Sequence, residues 1–364
     1  MNAAYLTHTS GADHRERPGY QQYYPLPPDT EVFSSLAIAI HLGLETLETP
    51  SGRQALHDLG HAFIAEREER PQRMIFAGSA ARMNRYVSHF LDRLRNYFPL
   101  VAVQKENDAV IASISPGAGD TTLEDFYPED VGMLTYNRDW VHAMVKAHEA
   151  CLRETRPQER QDLLEKWQHF LFIFACATLH QLAHLFTSYL SLGQSSFPPL
   201  GSNEAVIGGS WLEERLYGGF LGIYADADQV RDPVCYPRAM TYPLSATIPA
   251  DETRQPGMLF LMDEDAVAHR IDPRAIAQFV NDPRQFKLPF PCVGPGMTLA
   301  ERKALGIGRI GSTSTRGVAL PHNARTMREL IAAPELPRYS VIGTALRTRA
   351  TSAVQGLWII KEDR

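Results

Sequence analysis

A mixed α+β fold that is mostly helical is predicted by three observations on this chain of 364 residues. Several segments carry apolar residues at helical spacing, and a few short segments are rich in β-branched residues. Hydrophobic residues make up 44% of the chain and charged residues 21%, which is typical of a globular protein. A chain of this length can bury a large core without disulfide bonds.

Charge and cysteine content exclude several classes of protein. A net charge of −6 argues against binding of nucleic acid through bulk electrostatics. The four cysteines are widely spaced and form no Cys-x-x-Cys pair, which argues against a disulfide framework or a zinc ribbon. The N-terminus lacks the apolar segment of a secretory signal peptide, so we expect a cytoplasmic protein.

Composition divides the chain into three predicted regions. Residues 1–31 are polar and proline-rich, and we expect them to form a flexible arm. Residues 32–225 hold most of the helical patterns and are predicted to form the core. Residues 226–364 are rich in proline and glycine, and we expect this loop-rich part to pack against the core and form one wall of a cleft.

The helices of the core are predicted from hydrophobic periodicity. Val32–Leu44 is apolar throughout, so it could be either a strand or a short helix. Apolar residues at helical spacing predict helices over Arg53–Arg70, Ala80–Phe98, Trp140–Glu154, Pro157–Leu192 and a segment from Glu204 or Trp211 to Gly218.

The strands and the shorter elements follow from local signals. Two β-branched runs within Leu100–Ser115 flank a polar turn and predict a β-hairpin. Met133–Tyr136 is a further predicted strand, and Asp139 is the expected N-cap of the helix after it. In the C-terminal part, short helices are predicted over Asp263–Arg270, Pro273–Val280 and Leu299–Leu305.

The segment Phe170–Leu190 is long and apolar enough to be considered as a membrane span. It contains His180, Gln181 and His184, and polar groups at that depth are costly in lipid. A buried central helix with a polar stripe toward a cleft explains the same run. We therefore expect a soluble protein with no stable membrane span.

The most informative motif is His180-Gln181-Leu182-Ala183-His184 on this predicted helix. Histidines four residues apart lie on one face of a helix, close enough to share one cation. Glu204 and Glu213 follow downstream, and a carboxylate from a second helix is a suitable third metal ligand. The alternative is a pair of core histidines that are hydrogen-bonded to backbone or carboxylate groups.

The order HQLAH followed by NEA resembles the zincin metallopeptidases, and most of all their gluzincin branch, which carry HExxH on the active-site helix. The resemblance covers about Val131–Gly219. It implies a zincin-like core within residues 32–225 and a bound Zn²⁺. By this resemblance His180 and His184 are the first two zinc ligands and Glu204 is the third, with Glu213 as its rival.

The chain departs from this family at Gln181, which stands where the family has its catalytic glutamate. A neutral amide cannot take a proton from water, although it can position a water or a substrate carbonyl. The resemblance therefore implies a metal-dependent enzyme acting on an amide or peptide-like substrate, by a non-hydrolytic step or with a displaced base. Glu213, Glu214 and His148 are candidate bases. The alternative is an inactive zincin-fold binding module.

Three further motifs favour simpler interpretations. His57 and His61 repeat the four-residue spacing, but we favour a polar helix face over a second metal site. The glycines of Gly306–Gly311 match GxGxxG but lack the strand–helix context of a dinucleotide site. Arg309 and Arg316 lie in or near this segment and could contact an anionic substrate. Cys176 is predicted to serve in packing.

Overall fold

The computed structural model describes residues 23–69, 76, 78–106, 109–116, 122–193, 208–225, 256–313 and 357–360. These residues form helices together with two mixed or antiparallel sheets, so the predicted α+β class is confirmed. The helices are α1 (Glu31–Glu48), α2 (Pro50–Glu69), α3 (Met83–Asn96), α4 (Pro128–Val131), α5 (Arg138–Arg153), α6 (Pro157–Leu190), α7 (Gly209–Tyr217), α8 (Pro273–Asn281) and α9 (Leu299–Ala304).

The strands form two five-stranded sheets. The first sheet has the order β1-β10-β2-β4-β3 and the second has the order β8-β7-β6-β5-β9. Their bounds are β1 (Tyr23–Pro25), β2 (Leu100–Gln104), β3 (Ala112–Pro116), β4 (Gly132–Asn137), β5 (Phe220–Ala225), β6 (Met258–Met262), β7 (Ala268–Ile271), β8 (Cys292–Met297), β9 (Gly308–Ser312) and β10 (Leu357–Ile360).

The hairpin predicted over Leu100–Ser115 is wrong, because β4 lies between β2 and β3. Strand β4 runs parallel to β2 and antiparallel to β3. Asn137, at the end of β4, fixes the start of β3: its side chain donates to the Val110 carbonyl and its backbone N–H donates to the Ile111 carbonyl, both at 2.9 Å. A turn signal thus indicates where the chain turns, but burial of β4 between two neighbours selects its partners.

The first sheet also joins segments that are distant in sequence. Strand β1 lies within the region predicted as a flexible arm, and it pairs antiparallel with β10. Strand β10 runs parallel to β2, so a segment near residue 360 lies between two strands from the first third of the chain. This pairing connects the arm and the C-terminal part to the core.

Helix α6 is the central element of the fold and packs against α1, α5 and α7. It is the one helix of the described segments that is long and apolar enough to cross a membrane, and 94% of its most apolar window is buried inside the protein. Such burial is typical of a core helix. Val32–Leu44, which the sequence left open, belongs to helix α1, where Gly43 allows close approach to the Ala175 carbonyl of α6.

Two local predictions are wrong. Asn137, not Asp139, is the N-cap of α5, and its side chain accepts a hydrogen bond from the Asp139 N–H. The segment Asp263–Arg270, predicted as a helix, is instead the turn after β6 followed by most of β7, and in the turn the Asp263 carboxylate accepts from the Val267 N–H at 2.8 Å. Asparagine and aspartate side chains compete with helices in this way by bonding nearby backbone groups.

Candidate functional site

The two histidines of α6 lie side by side, as their spacing predicts. Their Nε2 atoms are 3.3 Å apart and their ring centroids are 5.0 Å apart. His180 is 1% exposed. Burial, together with the nearby charge of His180, lowers the pKa of His184 to about 3, so His184 is neutral at physiological pH.

Glu213 of α7 determines which nitrogen of His180 carries a proton. Its carboxylate is fully buried, with 0% exposure, and lies 2.9 Å from His180 Nδ1. The second carboxylate oxygen accepts the Leu221 N–H of β5, also at 2.9 Å. A carboxylate only accepts hydrogen bonds, so Nδ1 of His180 is the donor and its Nε2 points toward His184.

The first turn of α7 covers the two imidazole rings. The Gly209 N–H donates to His184 Nε2 over 3.4 Å. A Cβ atom at Gly208 would overlap the His184 ring, and one at Gly209 would overlap the His180 ring. Glycine is therefore required at both positions for this close approach.

The two Nε2 atoms are within hydrogen-bonding distance, and either a proton or a metal ion can lie between them. Because its Nδ1 proton is donated to Glu213, neutral His180 presents the lone pair of Nε2 toward His184. That lone pair either accepts a proton from His184 Nε2 or binds a cation together with His184. Two nitrogen ligands of one tetrahedral zinc ion, each about 2.0–2.1 Å from it, are about 3.3 Å apart. The observed separation of the Nε2 atoms fits this donor geometry.

The pair belongs to a longer polar seam between α6 and α7. Cys176, His180 and His184 recur every four residues on α6, and they face Gly209, Glu213 and Tyr217, which recur every four residues on α7. The Tyr217 hydroxyl is buried close to the Cys176 thiol. Burial raises the pKa of this thiol, and the charge of Glu213 raises it further.

Cys176 therefore has polar neighbours in addition to its role in packing. Tyr217 and the Leu221 backbone were not singled out by sequence reasoning. The recurrence of polar residues every four positions on both helices is the signal that could have identified Cys176 and Tyr217. Nothing in the sequence pattern points to the Leu221 N–H, because any residue supplies that group.

Gln181 lies next to the histidines in sequence but binds elsewhere. Its side chain is buried, and its amide donates to the Ala112 carbonyl of β3 at 3.0 Å. This contact attaches α6 to the first sheet. Of the other candidate bases, His148 pairs with Glu31 at 2.9 Å, and burial, together with the nearby Glu264, raises the pKa of Glu214.

The remaining predicted residues are not brought to the histidines. Arg309 is exposed on β9. Helix α9 precedes the segment Gly306–Gly311, and strand β9 contains its last two glycines. The dinucleotide fingerprint requires the reverse order, with a strand before the glycines and a helix after them. Glu204 and Arg316 lie outside the described residues. Within the described part of the chain, no three His, Cys, Asp or Glu side chains form a complete metal shell.

Comparison of the chain with protein-family models, with curated proteins and with solved structures found no significant match. The chemistry of this site therefore rests on its own geometry.

Proposed function

We propose that the protein is a metal-dependent enzyme on a zincin-like scaffold, with Zn²⁺ held by His180, His184 and Glu204. The observation that carries this proposal is the 3.3 Å separation of the two Nε2 atoms, with His180 oriented through Nδ1 by a buried carboxylate. Metal-binding histidines commonly donate their other N–H to a carboxylate, which fixes the tautomer and the ring orientation. In this proposal Glu213 orients His180 in this way, and it is not itself a zinc ligand.

The third ligand is proposed from chain connectivity. Glu204 precedes Gly208 by four residues, and Gly208 packs against the His184 ring. Four extended residues span at most about 14 Å, so the chain is short enough to bring this carboxylate to the histidines. A shell of two histidines and one glutamate leaves a coordination position for a substrate.

Each side chain of the site has a defined task in this proposal. The bound zinc would act as a Lewis acid toward a carbonyl oxygen. Glu213 holds the proton at His180 Nδ1 and so keeps Nε2 available. Gln181 attaches α6 to β3 through Ala112, so it cannot serve as the family's base. We therefore favour a step that does not depend on a base at position 181.

An amide or peptide-like substrate is proposed from the neighbouring strand. Strand β3 is the edge of the first sheet and lies against α6 at Gln181. Along an antiparallel edge strand, alternate residues point their backbone groups away from the partner strand, and Ala112 does so here. Because Gln181 already occupies the Ala112 carbonyl, an extended substrate would pair with the backbone groups of Ile114, which by alternation also point away from β4. Arg309 and Arg316 remain candidate contacts for an anionic group.

The metal content of the purified full-length chain tests this proposal. We expect about one zinc per chain by elemental mass spectrometry, lost in the double variant His180→Asn/His184→Asn. The control is His142→Asn, which removes an exposed histidine outside both pairs and should retain zinc. Because the buried pair also stabilises the fold, Glu204→Gln provides a second variant that leaves the His180–Glu213 contact intact. Zinc-free wild-type protein would refute the proposal.

A catalytically inactive binding module is the second candidate. It is favoured by the engagement of Gln181 with Ala112, which leaves no carboxylate at the position after the first histidine. Replacement Gln181→Glu, assayed on a mixture of unstructured peptides, distinguishes the two. New cleavage would indicate an intact zinc shell that lacks only its base, and zinc binding without cleavage in either protein would support the module.

A further inference from the structure

The second histidine pair, in α2, has nearly the same geometry as the first. His57 and His61 have ring centroids 4.5 Å apart and ring planes inclined at 56°, compared with 5.0 Å and 61° for the pair in α6. The two imidazoles are therefore close enough to chelate one ion.

The ring separation in α2 is compatible with chelation of a single ion. Two imidazole nitrogens that each lie about 2 Å from one metal ion place the ring centroids about 4.5 Å apart at a right angle and about 5 Å apart at the tetrahedral angle. The 4.5 Å separation of the His57 and His61 rings falls within this range, so rotation about their side-chain bonds can bring one nitrogen of each ring to the same ion.

The surroundings of His57 distinguish its two ring nitrogens. Its Nδ1 is buried and faces the Asp58 carboxylate at 3.5 Å, while a quarter of the side chain reaches solvent. Chelation would therefore use Nε2, the nitrogen that does not face Asp58. Asp58 itself is held by Arg215 at 3.0 Å and by Gln54 at 2.7 Å, so it stays beside His57.

His61 completes the pair from the solvent side. It is exposed, one helical turn after His57. Both histidines lie within the well-formed helix α2, whose backbone holds the two rings in register. No third His, Cys, Asp or Glu joins them among the described residues, so water would fill the other coordination positions.

We propose that His57 and His61 form a second, surface metal site that takes a divalent transition-metal ion, with Cu²⁺ preferred. Copper(II) is the tightest binder among the divalent first-row ions at a given nitrogen site, and imidazole is one of its usual ligands. The polar helix face expected from the sequence thus has a specific ligand chemistry. The site is independent of the buried pair in α6 and does not rest on the function proposed for it.

A crossed titration tests this proposal. Cu²⁺ is titrated into zinc-treated full-length protein, and binding is followed by calorimetry and by the nitrogen splitting of the copper electron paramagnetic resonance signal. We expect His57→Asn and His61→Asn each to weaken Cu²⁺ binding at least tenfold. The control His142→Asn, which removes an exposed histidine of α5, should leave binding unchanged.

The outcomes separate this site from the buried one. Copper binding that survives in His180→Asn/His184→Asn but is lost in His57→Asn/His61→Asn supports the surface site even if the wild type holds no zinc. Copper binding that is equal in the wild type and in His61→Asn overturns the proposal, since exposed His61 can be replaced without unfolding the chain. Melting temperatures of all variants, measured without metal, establish that they are folded.

Discussion

The histidine pairs of α2 and α6 share their spacing but differ in their surroundings. His57 and His61 lie at the surface, and His180 and His184 lie beneath the first turn of α7. A four-residue spacing brings two imidazoles together in both helices, because that proximity is a property of the α-helix itself. The second helix supplies a buried carboxylate and two glycines to only one pair, and these decide which chemistry each pair can perform.

The largest expected difference between the two regions concerns their carboxylates. Glu213→Ala leaves the His180 Nδ1–H and the Leu221 N–H buried without an acceptor, and breaking such a buried pair costs about 3–5 kcal/mol of unfolding free energy. Asp58→Ala, beside the exposed pair, should cost about 1 kcal/mol or less. Urea denaturation of both variants measures the contrast. Equal losses would contradict the view that burial separates the two sites.

A smaller effect is expected where α7 approaches the histidines. Gly209→Ala places a methyl group into the His180 ring, and such overpacking costs about 1–3 kcal/mol. Gly308→Ala is the matched control, because a Cβ there has no atom within 4 Å. Thermal unfolding of the two variants compares them. If Gly209→Ala is as stable as Gly308→Ala, α7 does not cover the rings as closely as described.

The smallest expected effect is the pH dependence of stability that arises from Asp58, beside the exposed pair in α2. Partial burial alone would raise the pKa of Asp58, but hydrogen bonds from Gln54 and Arg215, together with the nearby His57 ring, hold this pKa below its usual value. Near pH 4 the unfolded chain therefore binds more protons at Asp58 than the folded chain does. The contribution of ionised Asp58 to the free energy of unfolding is present above that pH and is lost as the pH falls below it.

This contribution is measured by comparing wild type with Asp58→Asn. The wild type should be more stable by about 1 kcal/mol or less at pH 6, because the ion pair is partly exposed, and the difference should shrink toward pH 3. A difference that grows as the pH falls would contradict the assigned direction of the pKa shift.

Local patterns anticipated the helix that carries the site but not the partners of the strands. The periodicity of Pro157–Leu192 predicted α6 almost to its end, and the spacing of its histidines predicted their contact. The predicted hairpin over Leu100–Ser115 failed because its two runs are good strands whose partner, β4, lies elsewhere in the chain. Strand propensity reflects the residues of a segment, whereas pairing depends on what is buried beside it.

The sequence by itself determined the mixed class of the fold, the position of the long central helix and the two histidine pairs, because these follow from periodicity within one segment. Only the tertiary structure decided that Glu213 orients His180, that Gln181 binds the Ala112 carbonyl, and that Cys176 faces Tyr217. Those contacts join segments separated in the chain, and their partners are selected by helix packing and burial. Packing of α7 on α6 thus distinguishes the buried pair from its counterpart in α2.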